Sequence, residues 1–394
     1  MNSRLKNRIT ALLNVMGMEF HNIIRYPVYW FCMLLLPLFV IFFFTDVMHE
    51  GLPEDMPVGV VDLDNSSTSR KLLRKFDSFQ NSHIAARYQS VSEARRAMQD
   101  NEIYAFMYFP ENMSRDLISG RQPKISFYYN NSVLLAGSLV YKEMRAISTM
   151  GAAAVVQSKM QAKGYTDKEI MGFIQPILTD VHAIDNPWLN YNVYLSNVIV
   201  PACLAIFIFL MTAYTIGVEI KFERARGWMR MAGDNVYIAI TGKMLPQTIV
   251  FTCIVWFYQY WLFCHLAFPH GADMWQIFGT GWFFVMACQG FGIFIFGILP
   301  SLRMSMSVCA LWAVLSFSIS GFSFPVDAMD KPIHLLSWLF PMRSYFMIYQ
   351  INILHGFPVY YAWGYYVALL VFTLMPLTVL PRIGKVLKEY EYIP

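Results

Sequence analysis

Six long apolar windows constrain this chain more than any other feature of its sequence. A helix that crosses a bilayer needs about 20 mostly apolar residues, and none of the windows contains Asp, Glu, Lys or Arg. The windows cover roughly residues 28–45, 194–217, 245–266, 274–299, 305–322 and 360–380. They predict a polytopic α-helical membrane protein with six transmembrane helices, and they exclude a plain cytosolic enzyme.

The composition agrees with a chain that meets lipid and has one sizeable water-exposed part. Charged residues make up 14% of the 394 residues, against roughly 25% in ordinary soluble domains. Aromatic residues reach 16%, and such residues are typical of membrane–water interfaces. All 6 cysteines lie inside the apolar windows, so we interpret them as packing residues and not as a disulfide framework or a metal site.

Lys and Arg residues are concentrated on one side of the predicted spans. They occur before the first window, in the loop 218–243 and after the sixth window, whereas the opposite loops, 267–273 and 323–359, have only two between them. Because short loops rich in Lys and Arg stay in the cytoplasm, both termini are predicted to be cytoplasmic, including the tail 381–394. The long segment 48–190 is then predicted to be extracytoplasmic.

The first 25 residues form a distinct segment. Apolar side chains recur at helical spacing from Leu5 to Ile24, with basic and polar residues between them. This pattern predicts an amphipathic interfacial helix on the cytoplasmic membrane face over 1–25; a basic tail that serves topology alone is the alternative. Tyr26-Pro27 favours extended backbone at its first residue, so the first transmembrane helix is expected over 26–47.

The segment 48–190 alternates short β-like runs with helical ones. Such alternation predicts an inserted extracytoplasmic α/β domain whose sheet is at least partly parallel. Strands are predicted at 57–62, 84–88, 104–108 and 124–129, shorter helices begin near residues 66, 92 and 111, and a long helix covers 132–162.

One acidic turn in this segment has the composition of a metal-binding loop. Asp62-Leu63-Asp64-Asn65 follows the first predicted strand, but a strand-to-helix turn capped by Asn65 or Ser66 explains the same residues without a ligand. The sequence has no nucleophile elbow, zinc-binding His-Glu pair or phosphate-binding glycine loop. We therefore predict no catalytic residue and no metal site.

The predicted spans have no charged side chain, which argues against ion-driven transport, although Ser, Thr and Asn could still bind sodium. Secondary transporters hold titratable or ion-binding side chains near the middle of the membrane, and here the only histidine in the windows is His265, near the end of one of them. The chain has no Walker motif either, because Gly242-Lys243 lacks the upstream glycine and the following Ser or Thr. An ATPase that energised this protein would be a separate polypeptide.

Short motifs spread over essentially the whole chain resemble one protein family. Ser320–Pro325 followed by Trp338–Pro341, after the fifth window, is the most specific of them. The others are Glu19-Phe20 with Arg25-Tyr26-Pro27, the stretch Val60–Ser66, and Gly217–Lys243. Together they resemble the membrane subunit of an ABC exporter of the ABC-2 family, in the branch with a large external domain between the first two spans. Arg224–Gly227 departs from the glycine-threonine pair of many members.

The resemblance implies that the loop 218–243 couples the spans to an ATPase. A cytosolic ATPase moves a membrane protein only through surfaces on the inner side, and a mixed charged helix with an aromatic side chain suits a protein groove. The residues predicted to couple are Glu219, Glu223, Arg226, Gly227 and Trp228. A solvated basic loop that serves topology alone is the alternative.

The fifth window and its outer flank are predicted to line the transport pathway. The residues assigned to it are Ser316, Ser318, Ser320, Gly321, Phe324 and Pro325. The segment 323–349 is interpreted as an outer re-entrant or interfacial hairpin, because irregular backbone at membrane depth must be buried in protein or face water. Close helix packing explains the small residues equally well.

The resemblance and the uncharged spans together predict a function. The chain would be the permease subunit of an ATP-driven ABC exporter in the bacterial plasma (inner) membrane, with its last five spans over 191–380, and would not itself be an enzyme. Its cargo would be a lipophilic or amphipathic compound, drug-like or lipid-like, leaving the cytoplasm or the inner leaflet. The alternatives are a glycan or lipid-precursor exporter, and a non-transporting receptor or scaffold that uses its ectodomain.

The predicted exporter function also predicts the partners. A separate ABC ATPase subunit would carry ATP and Mg²⁺, and no cofactor is expected in this chain. Six spans make a half-transporter, so a homodimer or a pair with a paralogous permease is expected within the lipid bilayer. A periplasmic adaptor is a further candidate partner, whereas nucleic acid is not expected.

Overall fold

Helices dominate the computed structural model, which describes residues 2–389 and the side chains from residue 5 onward. Six helical stretches are long and apolar enough to cross a membrane: Pro27–Val47, Tyr191–Lys221, Val236–His265, Met274–Ile298, Leu302–Ile319 and Val359–Glu389. A helical unit comprises the chain up to His49 and from Ile184, and a second unit, Glu50–Ala183, is inserted between these parts. The predicted fold class, six membrane helices with an inserted α/β domain, is confirmed. The last five residues of the predicted tail 381–394 lie outside the described residues, as does residue 1.

The chain begins with a helix that is distinct from the first span. Helix α1 is Asn2–Arg25, and the first span consists of α2 (Pro27–Trp30), a π-helical turn (Phe31–Leu35) and α3 (Leu36–Val47). Tyr26 has extended backbone, with φ −97° and ψ 121°, as the following proline requires. Proline fits the first helical turn because no intrahelical hydrogen bond needs its missing N–H.

The inserted unit is built around a four-stranded mixed sheet. Its strands β1 (Met56–Asp62), β2 (Ser82–Arg87), β3 (Ala105–Phe109) and β4 (Ser126–Tyr129) lie in the order β2-β1-β3-β4. Strand β1 is parallel to β2 and β3, and β4 is antiparallel to β3. The helices of this unit are α4 (Ser67–Phe76), α5 (Val91–Gln99), α6 (Met113–Ile118), α7 (Leu134–Gln161) and α8 (Asp167–Ile174). The predicted strands and the predicted partly parallel sheet are confirmed.

Strand β1 is the centre of the inserted unit because both of its faces are buried. Val58 and Val60 pack with Phe76 in one apolar cluster, whereas Val61 packs with Phe106 in another. Alternate residues of a strand point to opposite faces of the sheet, so the continuous apolar run of β1 supplies both clusters. A sheet covered on both sides is typical of parallel strand pairs joined by helices.

The acidic turn after β1 is held by hydrogen bonds within the chain. Asp62 accepts a hydrogen bond from the Ser69 hydroxyl at 2.7 Å, and Asp64 accepts one from the Ser114 hydroxyl at 2.7 Å. Burial alone would raise the pKa of Asp64, but the hydrogen bonds from Ser66 and Ser114 outweigh it and lower that pKa. The turn therefore caps α4 and ties it to α6, as the capping alternative predicts.

The rest of the helical unit follows the inserted unit. Its helices are α9 (Tyr191–Lys221), α10 (Ala225–Met231), α11 (Val236–Tyr260, extended by a π-helical turn to His265), α12 (Met274–Ile298), α13 (Leu302–Ile319), α14 (Lys331–Ser337), α15 (Pro341–Ile348), α16 (Trp363–Leu374) and α17 (Pro376–Glu389). The predicted bounds of the loop 218–243 are wrong. Helix α9 continues to Lys221 and α11 already begins at Val236, so the connection is only 222–235 and contains α10.

Helix α12 lies at the centre of the helical unit and is the most buried of the candidate spans. Its glycines allow neighbouring helices to approach closely, as in other membrane helix pairs. A Cβ added at Gly290 would lie 2.2 Å from the carbonyl oxygen of Phe372 on α16. Only glycine therefore fits between these two backbones.

We predict that Gly290→Ala lowers the free energy of unfolding by about 1–3 kcal/mol, because the added methyl group forces two packed helices apart. Gly279→Ala, on the same helix, is the matched control, since a Cβ there meets no atom within 4 Å. In that open position alanine is expected to be neutral or to stabilise the helix by about 0.5–1 kcal/mol. Thermal unfolding of both variants in detergent micelles measures the difference, and equal midpoints would contradict the prediction.

Candidate functional site

Three charged side chains form a cluster in the interior of the helical unit. Lys243 Nζ lies 2.7 Å from Glu19 Oε2 and 2.9 Å from Glu219 Oε1. Glu19 and Lys243 are fully buried, and Glu219 is 3% exposed. Because a buried charge is costly unless it is paired and hydrogen-bonded, the two carboxylates and the ammonium group depend on one another. We refer to these three residues as the charged cluster.

Each member of the charged cluster comes from a different helix. Glu19 lies in α1, Glu219 in the last turn of α9, and Lys243 in the third turn of α11. The neighbouring glycine makes this arrangement possible, because a Cβ at Gly242 would lie 2.9 Å from Val15 Cβ on α1. Helix α1 thus approaches α11 closely enough for Glu19 to reach the lysine.

Polar and aromatic groups complete the surroundings of the cluster. Gln247 Nε2 donates a hydrogen bond to Glu19 Oε1 at 2.9 Å, and Asn22 Nδ2 donates one to Glu19 Oε2 at 3.3 Å. The Trp228 ring of α10 lies 5.0 Å from Lys243 Nζ, within the range of a cation–π interaction. The cluster therefore contacts the connection between α9 and α11 as well as the helices themselves.

Arg224 extends the cluster toward solvent. Its Nε lies 3.4 Å from Glu219 Oε2, its side chain is 42% exposed, and its Nη1 donates a hydrogen bond to the Tyr26 hydroxyl at 3.3 Å. Burial alone would lower the pKa of Arg224, but the negative charge of Glu219 and the contact with Tyr26 outweigh it and raise that pKa. Two carboxylates thus face two cations, and the second cation belongs to the connection.

This geometry joins parts of the chain that would otherwise be independent. The buried apolar side chains around the cluster come from α1, α9, α10, α11, α12 and α17, and include Val15, Trp228, Phe296 and Ile383. A displacement of α10 or α1 therefore reaches α9 and α11 through packed side chains and buried ion pairs. Mechanical transmission between the connection and two candidate spans is what the arrangement can do.

The predicted coupling residues fall into two groups. Glu223, Arg226 and Gly227 are exposed, whereas Glu219 and Trp228 are buried. Our expectation that Glu219 and Trp228 dock into a partner's groove is wrong as a direct contact, because both side chains pack inside this chain. Their coupling function, now through the interior, stays a prediction.

Only two of the six residues predicted to line the transport pathway are buried. Ser316 and Ser320 are buried, and their hydroxyls donate to carbonyls of their own helix, at 2.7 Å to Ala313 and 2.9 Å to Phe317. Gly321 is half-buried with φ +96°, whereas Ser318, Phe324 and Pro325 are exposed. The two serines fit the helix-packing alternative, and the pathway assignment stays a prediction.

The charged cluster is not predicted from the sequence, because charged residues there mark the ends of the apolar windows. Glu219 and Lys243 fall in the predicted loop 218–243, although each lies within a helix that contains a candidate span. One signal was present in the sequence: Glu19 lies four residues from both Val15 and Ile23, and all three are on the buried face of α1. An acidic residue in the middle of an apolar helix face indicates a buried cationic partner.

We predict that Lys243→Met lowers the free energy of unfolding by about 3–5 kcal/mol, because Glu19 and Glu219 then stay buried without their cation. The triple variant Glu19→Gln, Lys243→Met and Glu219→Gln has no charge in the cluster, and it is expected to recover most of the lost free energy of unfolding. Lys221→Met, at an exposed position of α9, is the control and should change the free energy of unfolding by less than about 0.5 kcal/mol. Thermal unfolding in detergent micelles measures all three, and a Lys243→Met midpoint equal to that of the control would refute the structural role of the cluster.

Comparison with known proteins places this architecture in a family. A family profile described as ABC-2 family transporter protein matches residues 27–380, from the first span into the sixth. A comparison with curated proteins finds no match. The profile confirms the resemblance that the sequence motifs indicate. The chain therefore belongs to the ABC-2 transporter family and is a membrane component of an ABC transporter, which works with an ABC ATPase subunit.

Proposed function

We propose that this protein is the permease subunit of an ATP-driven exporter that moves a lipophilic or amphipathic compound out of the cytoplasm or the inner leaflet. A separate ATPase subunit would bind ATP and Mg²⁺ and supply the energy. Family membership supports the transporter assignment. The charged cluster supports the proposed coupling most directly, because it links the connection 222–235 and α1 to the candidate spans α9 and α11.

The proposed coupling surface is the exposed side of the connection. Glu223, Arg226 and Arg230 are exposed there, and Arg226 Nε donates a hydrogen bond to the Lys388 carbonyl oxygen of α17 at 3.3 Å. Charges of both signs on one short segment suit a complementary protein surface. Closure of the ATPase would displace α10, and the charged cluster would carry that displacement to α9 and α11 as a rigid-body motion.

The proposed orientation follows from the distribution of basic residues. The connection, α1 and the end of α17 carry most of the Lys and Arg near the spans, so we assign them to the cytoplasmic side of a bacterial plasma membrane. The inserted unit would then be extracytoplasmic. A homodimer or a pair with a paralogous permease would complete the transporter, because this chain supplies six candidate spans.

We predict that Glu223→Lys combined with Arg226→Glu weakens association with the ATPase by about tenfold or more, because charge complementarity is reversed at the proposed surface. Both side chains are exposed, so the fold should tolerate the changes. Lys163→Glu, an exposed charge reversal in the inserted unit, is the control. Co-purification of the ATPase measures association, and unchanged recovery with the double variant would reject the assignment of this surface.

Export itself is tested with the permease and its ATPase reconstituted in vesicles of defined orientation. We predict ATP-dependent movement of a fluorescent lipophilic probe toward the side of the inserted unit, and no movement with a hydrolysis-deficient ATPase. A Lys243→Met variant that stays assembled should hydrolyse ATP but move the probe more slowly, since α1 and the spans are no longer tied. Movement in the opposite direction, or none while ATP hydrolysis continues, would reject the proposed exporter.

A further inference from the structure

A second buried cation in the helical unit forms no ion pair with any side chain of residues 5–389. Arg343, on α15, is only 3% exposed, and its Nε and Nη1 atoms are buried without a hydrogen-bond acceptor. Within residues 2–389, Arg343 forms no ion pair with a carboxylate within 4.0 Å. Asp327 acts on the guanidinium only from beyond that distance. A buried guanidinium without a counter-ion is costly, so binding of an anion beside it would be favourable.

Aromatic rings hold the guanidinium in place. Its Cζ lies 5.5 Å from the centre of the Trp338 ring, and Trp338 stacks on Tyr365 with ring centres 5.3 Å apart. Arginine readily stacks on aromatic faces and keeps its planar fork of N–H donors free for an acceptor. The Tyr365 side chain also interacts with the guanidinium through a hydrogen bond. These contacts fix the position of the side chain, and Nε and Nη1 are left without an acceptor among the described residues.

The unpartnered side of Arg343 is directed toward the turn after α13. Its Nη1 lies 3.9 Å from the position that a Cβ would take on Gly321. Gly321 has φ +96°, a conformation that side chains rarely adopt, so the backbone runs close to the guanidinium. The next residue, Ser344, also has a buried hydroxyl without a partner. Unsatisfied donors are thus concentrated at the start of α15.

Exposed apolar side chains lie close in the chain to Gly321 and Trp338, the two residues beside the guanidinium; we refer to them as the apolar surface. Its members are exposed side chains between α13 and α15, namely Phe324, Leu335, Leu336 and Leu339. Exposed apolar side chains on one short segment favour contact with a hydrocarbon chain, in lipid or in a ligand. A compound with an anionic head and an apolar chain therefore matches both features, whereas a small free anion matches only the arginine.

We propose that Arg343 binds the anionic head group, a carboxylate or phosphate, of the amphipathic cargo, while the apolar surface at Phe324 and Leu335–Leu339 contacts its chain. This inference rests on the proposed export function and narrows its substrate class to anionic amphiphiles. Arginine suits this function because its fork pairs with both oxygens of a carboxylate or phosphate. Binding would supply the negative partner that the described part of the chain lacks.

The site is tested by direct binding to the full chain in phosphatidylcholine nanodiscs, without the ATPase. The probes are a fluorescent long-chain fatty acid and the fatty alcohol with the same chain and label. We expect the acid to bind about tenfold tighter or more, as a charge-assisted pair predicts. Arg343→Gln should remove that preference while alcohol binding stays unchanged, which also shows that the variant is folded. Arg343→Lys should keep part of the preference.

Lys331→Gln is the matched control, because Lys331 is an exposed cation on α14 in the same segment. It should keep the full preference for the acid. Inorganic phosphate and a long-chain alkyl phosphate are added as competitors, and only the alkyl phosphate should displace the bound acid. Displacement by inorganic phosphate at the same concentration, or an unchanged preference in Arg343→Gln, would overturn the proposal.

Failure of this site and failure of the exporter assignment are distinguishable. Binding of the acid at Arg343 without ATP-driven movement of any probe would keep the site and reject the exporter. ATP-driven movement of lipophilic probes with an unchanged acid preference in Arg343→Gln would keep the exporter and reject the site.

Discussion

One lysine shared by two carboxylates holds the helical unit together at the point where α1, α9 and α11 meet. Lys243 lies within 2.9 Å of both Glu19 and Glu219, and removing one partner of such a buried pair costs about 3–5 kcal/mol. That is a large share of the roughly 5–15 kcal/mol by which a folded protein is stable. Helix α1 therefore cannot leave α9 and α11 without a large loss of stability. The same contacts would carry a motion of α1 or of the connection to both helices.

The parts of the fold that depend on local chemistry could be predicted from the sequence. Apolar windows located the candidate spans, and the apolar run of β1 and the Ser66 cap located the first strand and helix of the inserted unit. Tyr26-Pro27 located the start of the first span for an equally local reason. The predicted bounds of the loop 218–243 are wrong because the two charges that pair inside the helices, Glu219 and Lys243, are separated by 24 residues. A window treats each charge alone and cannot detect their pairing.

The candidate site was less predictable, because whether a residue contacts a partner or packs inside the chain depends on its exposure. Trp228 has the composition of a docking residue, yet it packs 5.0 Å from Lys243 Nζ inside the chain. Glu223 and Arg226, from the same stretch, are exposed. Sequence alone does not distinguish these cases, since a short helix such as α10 turns residues only two positions apart, such as Arg226 and Trp228, to different faces. In the sequence Arg343 is only a basic residue of the loop 323–359, because no local pattern shows whether an arginine has an ion-pair partner.

The two buried cations differ in what they can do during transport. Lys243 is neutralised within the chain, so it holds helices in place, whereas Arg343 changes its electrostatic state when a ligand arrives. They lie near opposite ends of α13. At its start, a Cβ added at Gly217, two residues from Glu219, would lie 2.7 Å from Leu302 Cδ1, and just after its end Gly321 adjoins Arg343. An 18-residue helix is about 27 Å long. Packed elements with two discrete arrangements can carry coupling over such a distance, and α13, which packs along α9, would be the element between the two sites.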